Sequence, residues 1–230
     1  MRAVKFSSLL EDLAGRMGGN ADVLRVNPGE AMAYFSAIND ALQWAWEAGD
    51  WRWLTPTVKV AAVRPEGGVF GEVDWATEGM PVEVFSSDPR LGKAETLDFE
   101  IWPEGFNVAG SGDVWVRYMP LPPVWSARVW AASTQYLAGD VVYDTARGEG
   151  YRARMDTLGR PVNDSAAWEK LVFPYDFKRP VLMKAQATLM LGREDQQQTA
   201  AALNAQAEGL LGTLATVQSL RGGQRDTYQN

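Results

Sequence analysis

The sequence predicts an α+β fold, with a helical bundle formed by both ends of the chain and a small antiparallel β sheet or sandwich between them. Near both termini, apolar residues recur every three or four positions, which is typical of amphipathic helices. In the middle, short runs alternate apolar and polar residues between Pro- and Gly-rich turns, which is typical of strands. An aromatic-rich segment between two proline-rich breaks predicts an inserted small β module.

The N-terminal helices are predicted over residues 1–56. The hydroxyl of Ser8 and the carboxylate three residues later form a capping-box pattern at the start of the first helix. Asn27 as a cap and Pro28 in the first turn predict the start of the second helix. A tryptophan cluster at 44–53 follows the second helix directly, before the pattern changes.

The β region is predicted over residues 57–122. Its strands begin at Thr57, where Val58 and Val60 alternate with polar residues. The further candidate strands are 68–75, 82–86, 95–102 and 113–119. Short strands at this spacing favour a compact antiparallel sheet or sandwich, and the prolines at 120–123 end the region.

The C-terminal helices and a flexible tail are predicted over residues 173–230. Pro180 suits the first turn of a helix, and Gly192 is expected to break it. A second, nearly uncharged helix follows, rich in Ala, Gln and Leu, and residues 222–230 are expected to form a flexible arm or a strand-forming end. Because helices enclose the strands in sequence, we expect 1–122 plus 173–230 to form one scaffold.

The composition excludes several classes of chemistry. The chain has no Cys and no His, which removes disulfides, thiolate nucleophiles, the commonest general base and the commonest metal ligand. Its formal net charge of −7 argues against binding to duplex DNA, which requires a basic face. No secretion signal and no apolar run of membrane-spanning length is visible, so we expect synthesis in a cytoplasm and no membrane partner.

The scaffold resembles a family of virus proteins. The pattern Ile38-Asn39-Asp-Ala41-Leu42 leads into the tryptophan cluster, and the β region ends in Val-Arg-Tyr-x-Pro-x-Pro-Pro at 116–123. An Ala- and Leu-rich helix pair, broken near Arg193, closes the chain. This layout, over about 1–122 and 173–230, resembles the head–tail adaptor (connector, or tail-tubular) proteins of tailed bacteriophages.

The resemblance implies a structural virion protein and not an enzyme. Such adaptors form a homo-oligomeric ring, usually of twelve copies, in the neck of the particle at the head–tail interface. The portal protein lies above the ring, the tail tube, nozzle or tail-fibre proteins lie below it, and DNA passes through without sequence-specific binding. The alternatives are a tail-completion or tail-terminator protein, and a carbohydrate-binding accessory protein.

The inserted module is predicted over residues 123–172. Its order of aromatic and glycine residues, from Trp130 through Gly139-Asp140 to Trp168, is similar to the chitin- and cellulose-binding modules of families 5 and 12. Sugar binding in those modules uses exposed aromatic rings, but Met155 and Asp156 stand where the family often has an aromatic pair. The candidate carbohydrate or contact aromatics are Trp125, Trp130, Tyr143, Tyr151 and Trp168.

Carboxylates offer the remaining route to catalysis, through a pair of acids as in glycosidases. Asp98 and Glu100 are expected to share one face of a strand, with Glu95 and Glu104 nearby. The favoured interpretation is a solvated strand edge that discourages pairing between sheets. We therefore predict no catalytic residues, no cofactor and no metal site.

Overall fold

The computed structural model describes residues 2–19, 28–49, 51–60, 69–72, 79–103, 105–108 and 113–227, without side chains at 28–30, 69–72 and 218–227. It has the predicted α+β fold, with four α-helices and several small antiparallel sheets. The chain divides into two compact units, Met1–Asp50 with Pro122–Asn230, and Trp51–Leu121. Of the sequence-based predictions, the Asn27 cap, Glu104 and the last three residues of the tail lie outside the described residues.

Among the described residues, four helices form the body of the first unit. They are α1 (Phe6–Arg16), α2 (Pro28–Glu47), α3 (Lys178–Leu191) and α4 (Gln197–Thr227). The helix α3 is central, because it packs against each of the other three. The strand β1 (Ala3–Val4) pairs with β14 (Phe173–Pro174), which ties the N-terminal segment to the chain just before α3. The two ends of the sequence therefore meet in one helical body, as predicted.

The second unit is a small β sandwich. The part of this unit that the structure describes has seven strands, β2 (Thr57–Val60), β3 (Val69–Glu72), β4 (Met80–Phe85), β5 (Thr96–Leu97), β6 (Phe99–Trp102), β7 (Gly105–Val108) and β8 (Val114–Met119). One sheet has the order β2-β8-β4-β5 and the other β3-β7-β6, both antiparallel. Val84 and Val116 of the first sheet and Phe106 and Val108 of the second share one buried cluster, so apolar side chains from both inner faces hold the sheets together.

The module at 123–172 folds as a β structure inside the first unit. Its strands are β9 (Gln135–Tyr136), β10 (Val141–Asp144), β11 (Glu149–Ala153), β12 (Thr157–Leu158) and β13 (Trp168–Lys170). They form a three-stranded sheet, β10-β11-β13, and a two-stranded ladder, β12-β9. Tyr136, Tyr151 and Trp168 lie in its buried cluster and Trp130 packs against it, so these aromatic rings supply the core of the module.

The structure differs from the sequence-based prediction at several elements. The helix α1 begins at Phe6, two residues before the predicted cap, and the Ser8 hydroxyl donates to the Lys5 carbonyl rather than capping the helix. The stretch 95–102 is two strands, one in each sheet of the sandwich. The strand β7 lies where the sequence predicted no strand. The helix α4 continues to Thr227, where a flexible arm was expected from residue 222.

The grouping of segments also differs from the prediction that 1–122 and 173–230 form one scaffold with the module set apart. The compact units instead join the module to the helices and separate the β region, with the boundary after Asp50. The physical reason is an aromatic junction between the module and the first two helices, described next.

Candidate functional site

An aromatic junction joins the module to α1 and α2. The ring of Trp125, which is 2% exposed, stacks on Phe6 at 4.7 Å between centroids with 5° between the planes. Phe173 packs against the same indole at 5.8 Å. On the other side, Tyr143 makes an edge contact with Phe35 at 5.5 Å and 84°. These rings come from two helices, the module and the strand before α3, so they form one shared core.

The backbone at the start of the module is held by a single side chain of α2. The Asn39 amide nitrogen donates to the Trp125 carbonyl at 2.8 Å, and the Asn39 side-chain oxygen accepts from the Trp125 amide at 2.9 Å. An amide side chain is suited to this pairing because it carries a donor and an acceptor side by side. Both polar backbone groups of Trp125 are thus satisfied where the indole enters the core.

Glycines allow the module to approach α1 closely. The Gly148 carbonyl accepts from the Ser7 amide at 2.9 Å, which satisfies one of the free N–H groups at the start of α1. Gly148 has φ +69°, and a Cβ there would lie 2.4 Å from the Ser7 Oγ. A Cβ on Gly150 would lie 2.4 Å from Cδ1 of the Trp125 indole. A larger residue at Gly148 would therefore push the module away from α1, and one at Gly150 would displace the Trp125 indole that stacks on Phe6.

Two buried carboxylates beside the junction are both paired. Glu149 accepts from Lys170 Nζ at 2.9 Å, and Asp144 accepts from Arg147 at 2.6 Å. Burial, with added repulsion from Glu11 and then from these two acids, raises the pKa of Tyr143 to about 12. The Tyr143 hydroxyl therefore stays protonated at neutral pH and is a weaker acid than an exposed tyrosine.

The candidate aromatics predicted from the sequence do not form a sugar-binding platform. Trp125, Tyr143, Tyr151 and Trp168 are buried, and Trp130 is half-buried against the module core. A pyranose needs an open ring face, and the faces of the four buried rings are covered by the core of the module or by the junction. Four of the five candidate rings, Trp125, Tyr143, Tyr151 and Trp168, therefore serve in packing in this structure.

The positions that replace the family's aromatic pair have separate places in the module. Met155 is 46% exposed. The Asp156 carboxylate accepts from the Ala138 amide at 2.9 Å, and so it fixes the loop before β10. Neither side chain presents a flat aromatic surface, so nothing at these positions replaces the missing sugar contacts.

The acidic candidates on the β unit are surface residues. Glu95, Asp98 and Glu100 are all exposed, and Glu100 accepts a long hydrogen bond of 3.4 Å from the Trp102 indole. This exposure agrees with the solvated strand edge favoured from the sequence. In the parts of the chain that the structure describes, no group of three acidic side chains could hold a metal ion.

The first unit also has an open groove between α2 and the proline segment that leads into the module. It has a volume of about 340 Å³ and includes Met32, Asn39 and Asp40 on one wall and Pro123 and Val124 on the other. Met32 and Val124 are both more than half exposed. A groove with these lining groups is suited to a contact with another protein chain better than to catalysis, because its ionisable lining residue, Asp40, has no acid or base beside it in the lining.

A scan against models of known protein families finds no match to this chain, and a search of curated proteins finds no relative. In the described ranges, no helix is both long enough and apolar enough to cross a membrane.

Proposed function

We propose that this chain is a structural subunit of a tailed-bacteriophage particle, a ring-forming adaptor that joins the portal of the capsid to the tail. The observation that carries the proposal is the meeting of both chain ends in one helical body, while the β region, which lies between those ends in sequence, is a separate compact unit. The adaptor layout, with helices at both ends of the chain and strands between them in sequence, implies this meeting of the ends.

The chemistry of the chain supports a scaffolding role. The aromatic rings that the sequence offered as a binding site serve in packing, and both buried acids are paired. With a net charge of −7, a ring of such chains would repel the phosphates of passing DNA rather than bind them. The ring, of about twelve copies by resemblance, would contact the portal on one side and the tail tube, nozzle or tail fibres on the other.

The resemblance of the module to sugar-binding modules gives it a different role in this proposal. The module would serve as a rigid extension of the helical body, because stacked rings and the Asn39 amide fix it there. A carbohydrate-binding accessory protein is disfavoured by the burial of its rings. A tail-completion protein remains the alternative, since it differs from an adaptor mainly in the neighbours that it contacts.

Electron microscopy of purified particles tests the proposal. A Fab raised against the purified chain is expected to decorate the neck, between the portal and the tail, and particles made without the chain are expected to be full heads without attached tails. A copy of the gene supplied in trans should restore the tails. Decoration at the far end of the tail, or intact tailed particles without the chain, would overturn the adaptor role.

A further inference from the structure

The last helix, α4, is much longer than the helix it packs against. At 1.5 Å per residue, its 31 residues span about 46 Å, whereas the 14 residues of α3 span about 21 Å. The two form an antiparallel hairpin in which Lys184 Nζ donates to the Asn204 side chain. The helix α3 begins at Lys178, six residues before Lys184. In an antiparallel pair, the position opposite Lys178 lies about six residues after Asn204, so the overlap ends near residue 210 of α4.

The side-chain burial agrees with this overlap. Among the residues of α4 with described side chains, which end at Val217, Leu211 is the last that is buried, and none of residues 212–217 is buried. An apolar ridge nevertheless continues along the helix. Its members, Leu203, Leu210, Leu214 and Val217, follow each other at intervals of seven, four and three, so they lie on one side of the helix. The leucines are half-buried and Val217 is 39% exposed.

A second face of α4 is built from small residues. The members of this α4 groove are Ala202, Ala205, Gly209, Gly212 and Thr216, and all are exposed. A Cβ added at Gly209 or Gly212 would meet no atom within 4 Å. Since Gly weakens a helix interior, these two positions lower the stability of α4 without any packing need in the described chain.

The hydroxyls near the groove are already satisfied. The Thr213 hydroxyl donates to the Gly209 carbonyl, and the Thr216 hydroxyl to the Gly212 carbonyl, each at 2.9 Å. Apolar side chains could therefore cover this face without leaving a hydroxyl unpaired. From 197 to 217 the helix carries one charged residue, Glu208, so two copies of it can approach without strong repulsion.

We infer that the α4 ridge of one copy packs into the α4 groove of the next copy of this chain. A second copy is the occupant that fits, because one helix presents both the large side chains and the small-residue face that receives them, and neither is charged. At 3.6 residues per turn, the two faces are about 130° apart around the axis. The contact is therefore heterologous, head to tail, and propagates from copy to copy until it closes. This inference rests on the proposed ring and names its interface.

Cysteine trapping tests the contact, and the chain is suited to it because it has no Cys of its own. The full-length chain with both Val217→Cys and Thr216→Cys is expected to give, on mild oxidation, a ladder of dimers, trimers and larger species on a non-reducing gel. Each single variant should give no species above a dimer. A control pair, Val217→Cys with Leu91→Cys at a site that is 87% exposed, should give no ladder.

Trapping captures brief contacts, so the test does not need a stable ring in solution. Absence of a ladder from the double variant would overturn the inference. So would full conversion of the Val217→Cys variant alone to dimers, because ridges would then face ridges. The Fab experiment is independent of this result. A ladder without neck decoration would reject the adaptor role and keep the interface, and neck decoration without a ladder would do the reverse.

A second pair of variants separates packing between copies from helix stability. Both Gly209→Ala and Gly209→Leu raise the helix propensity of α4, so both should raise the melting temperature of the monomer. Only the leucine fills the groove. In the double-cysteine background, Gly209→Leu is expected to reduce the ladder at least tenfold and Gly209→Ala to reduce it little. Equal ladders from both variants would overturn the inference.

Discussion

Replacing Phe6 with Ala tests whether the module is fixed to the helices. Phe6 is 1% exposed, and its ring lies 5.0 Å from Phe35, 4.7 Å from Trp125 and 6.3 Å from Tyr143. A buried Phe→Ala change costs about 3–5 kcal/mol in the free energy of unfolding. We expect the upper part of that range, because the rings around Phe6 come from three segments that also pack on other neighbours and cannot easily collapse into the cavity.

Amide hydrogen exchange shows which segments lose stability when Phe6 is replaced. If α1 and the module open together, a loss of about 4 kcal/mol speeds exchange roughly 10³-fold in amides that exchange through that shared opening. We expect this acceleration both in α1 and in the β10–β11 ladder. The control is Leu137→Ala in the module, where the side chain is 57% exposed and the change should stay within about 0.5 kcal/mol. Fast exchange in α1 with unchanged exchange in the module would refute the shared core.

Three further changes test the details of the junction. Gly148→Ala combines positive φ with a clash and should lower the free energy of unfolding by about 2 kcal/mol or more, as measured by urea denaturation. Its control, Gly159→Ala, lies at φ +70° with no atom nearer than 3.6 Å and should show only the backbone strain of about 1–2 kcal/mol. Asn39→Ala leaves two backbone groups unpaired and should cost about 1–3 kcal/mol in the same assay, against a few tenths for the exposed Gln43→Ala. Because the pKa of Tyr143 is raised to about 12 in the fold, the contribution of the protonated hydroxyl to stability is complete below pH 10 and is lost as pH rises towards 12. The wild type should therefore lose more stability over that range than Tyr143→Phe. Equal losses would contradict the raised pKa.

Local patterns in the sequence predicted most of the elements because each pattern reports a local preference. The period of apolar residues placed the four helices, and Gly192 marked the break between the last two. The predicted start of α1 was wrong because the free N–H group of Ser7 is satisfied by the carbonyl of Gly148, a residue 141 positions later in the chain. No local pattern around Ser8 contains that contact.

The grouping of the units could not be predicted from the order of segments. The Pro120–Pro123 break and the aromatic segment after it suggested a module set apart from its host. The sequence does not say which face of a module packs against the rest of the chain. Trp125 was a candidate for an exposed ring, yet its indole stacks on Phe6. The useful signal was the pair of glycines, Gly148 and Gly150, in a strand hairpin, since an extra Gly in a strand often marks close approach by another group.

The same reasoning explains why the aromatic spacing predicted the module's fold but not its function. A module of about 50 residues has few large side chains, so each ring used in its core is lost to a ligand. Here the ring centroids of Tyr136 and Trp168 lie 5.3 Å apart, and the Trp168 indole donates to the Arg160 carbonyl. Both rings are therefore held in the interior of the module. Trp125 and Tyr143 pack in the aromatic junction, against Phe6 and Phe35. The spacing of aromatic residues is therefore retained by the demands of the small core alone, whether or not a sugar is ever bound.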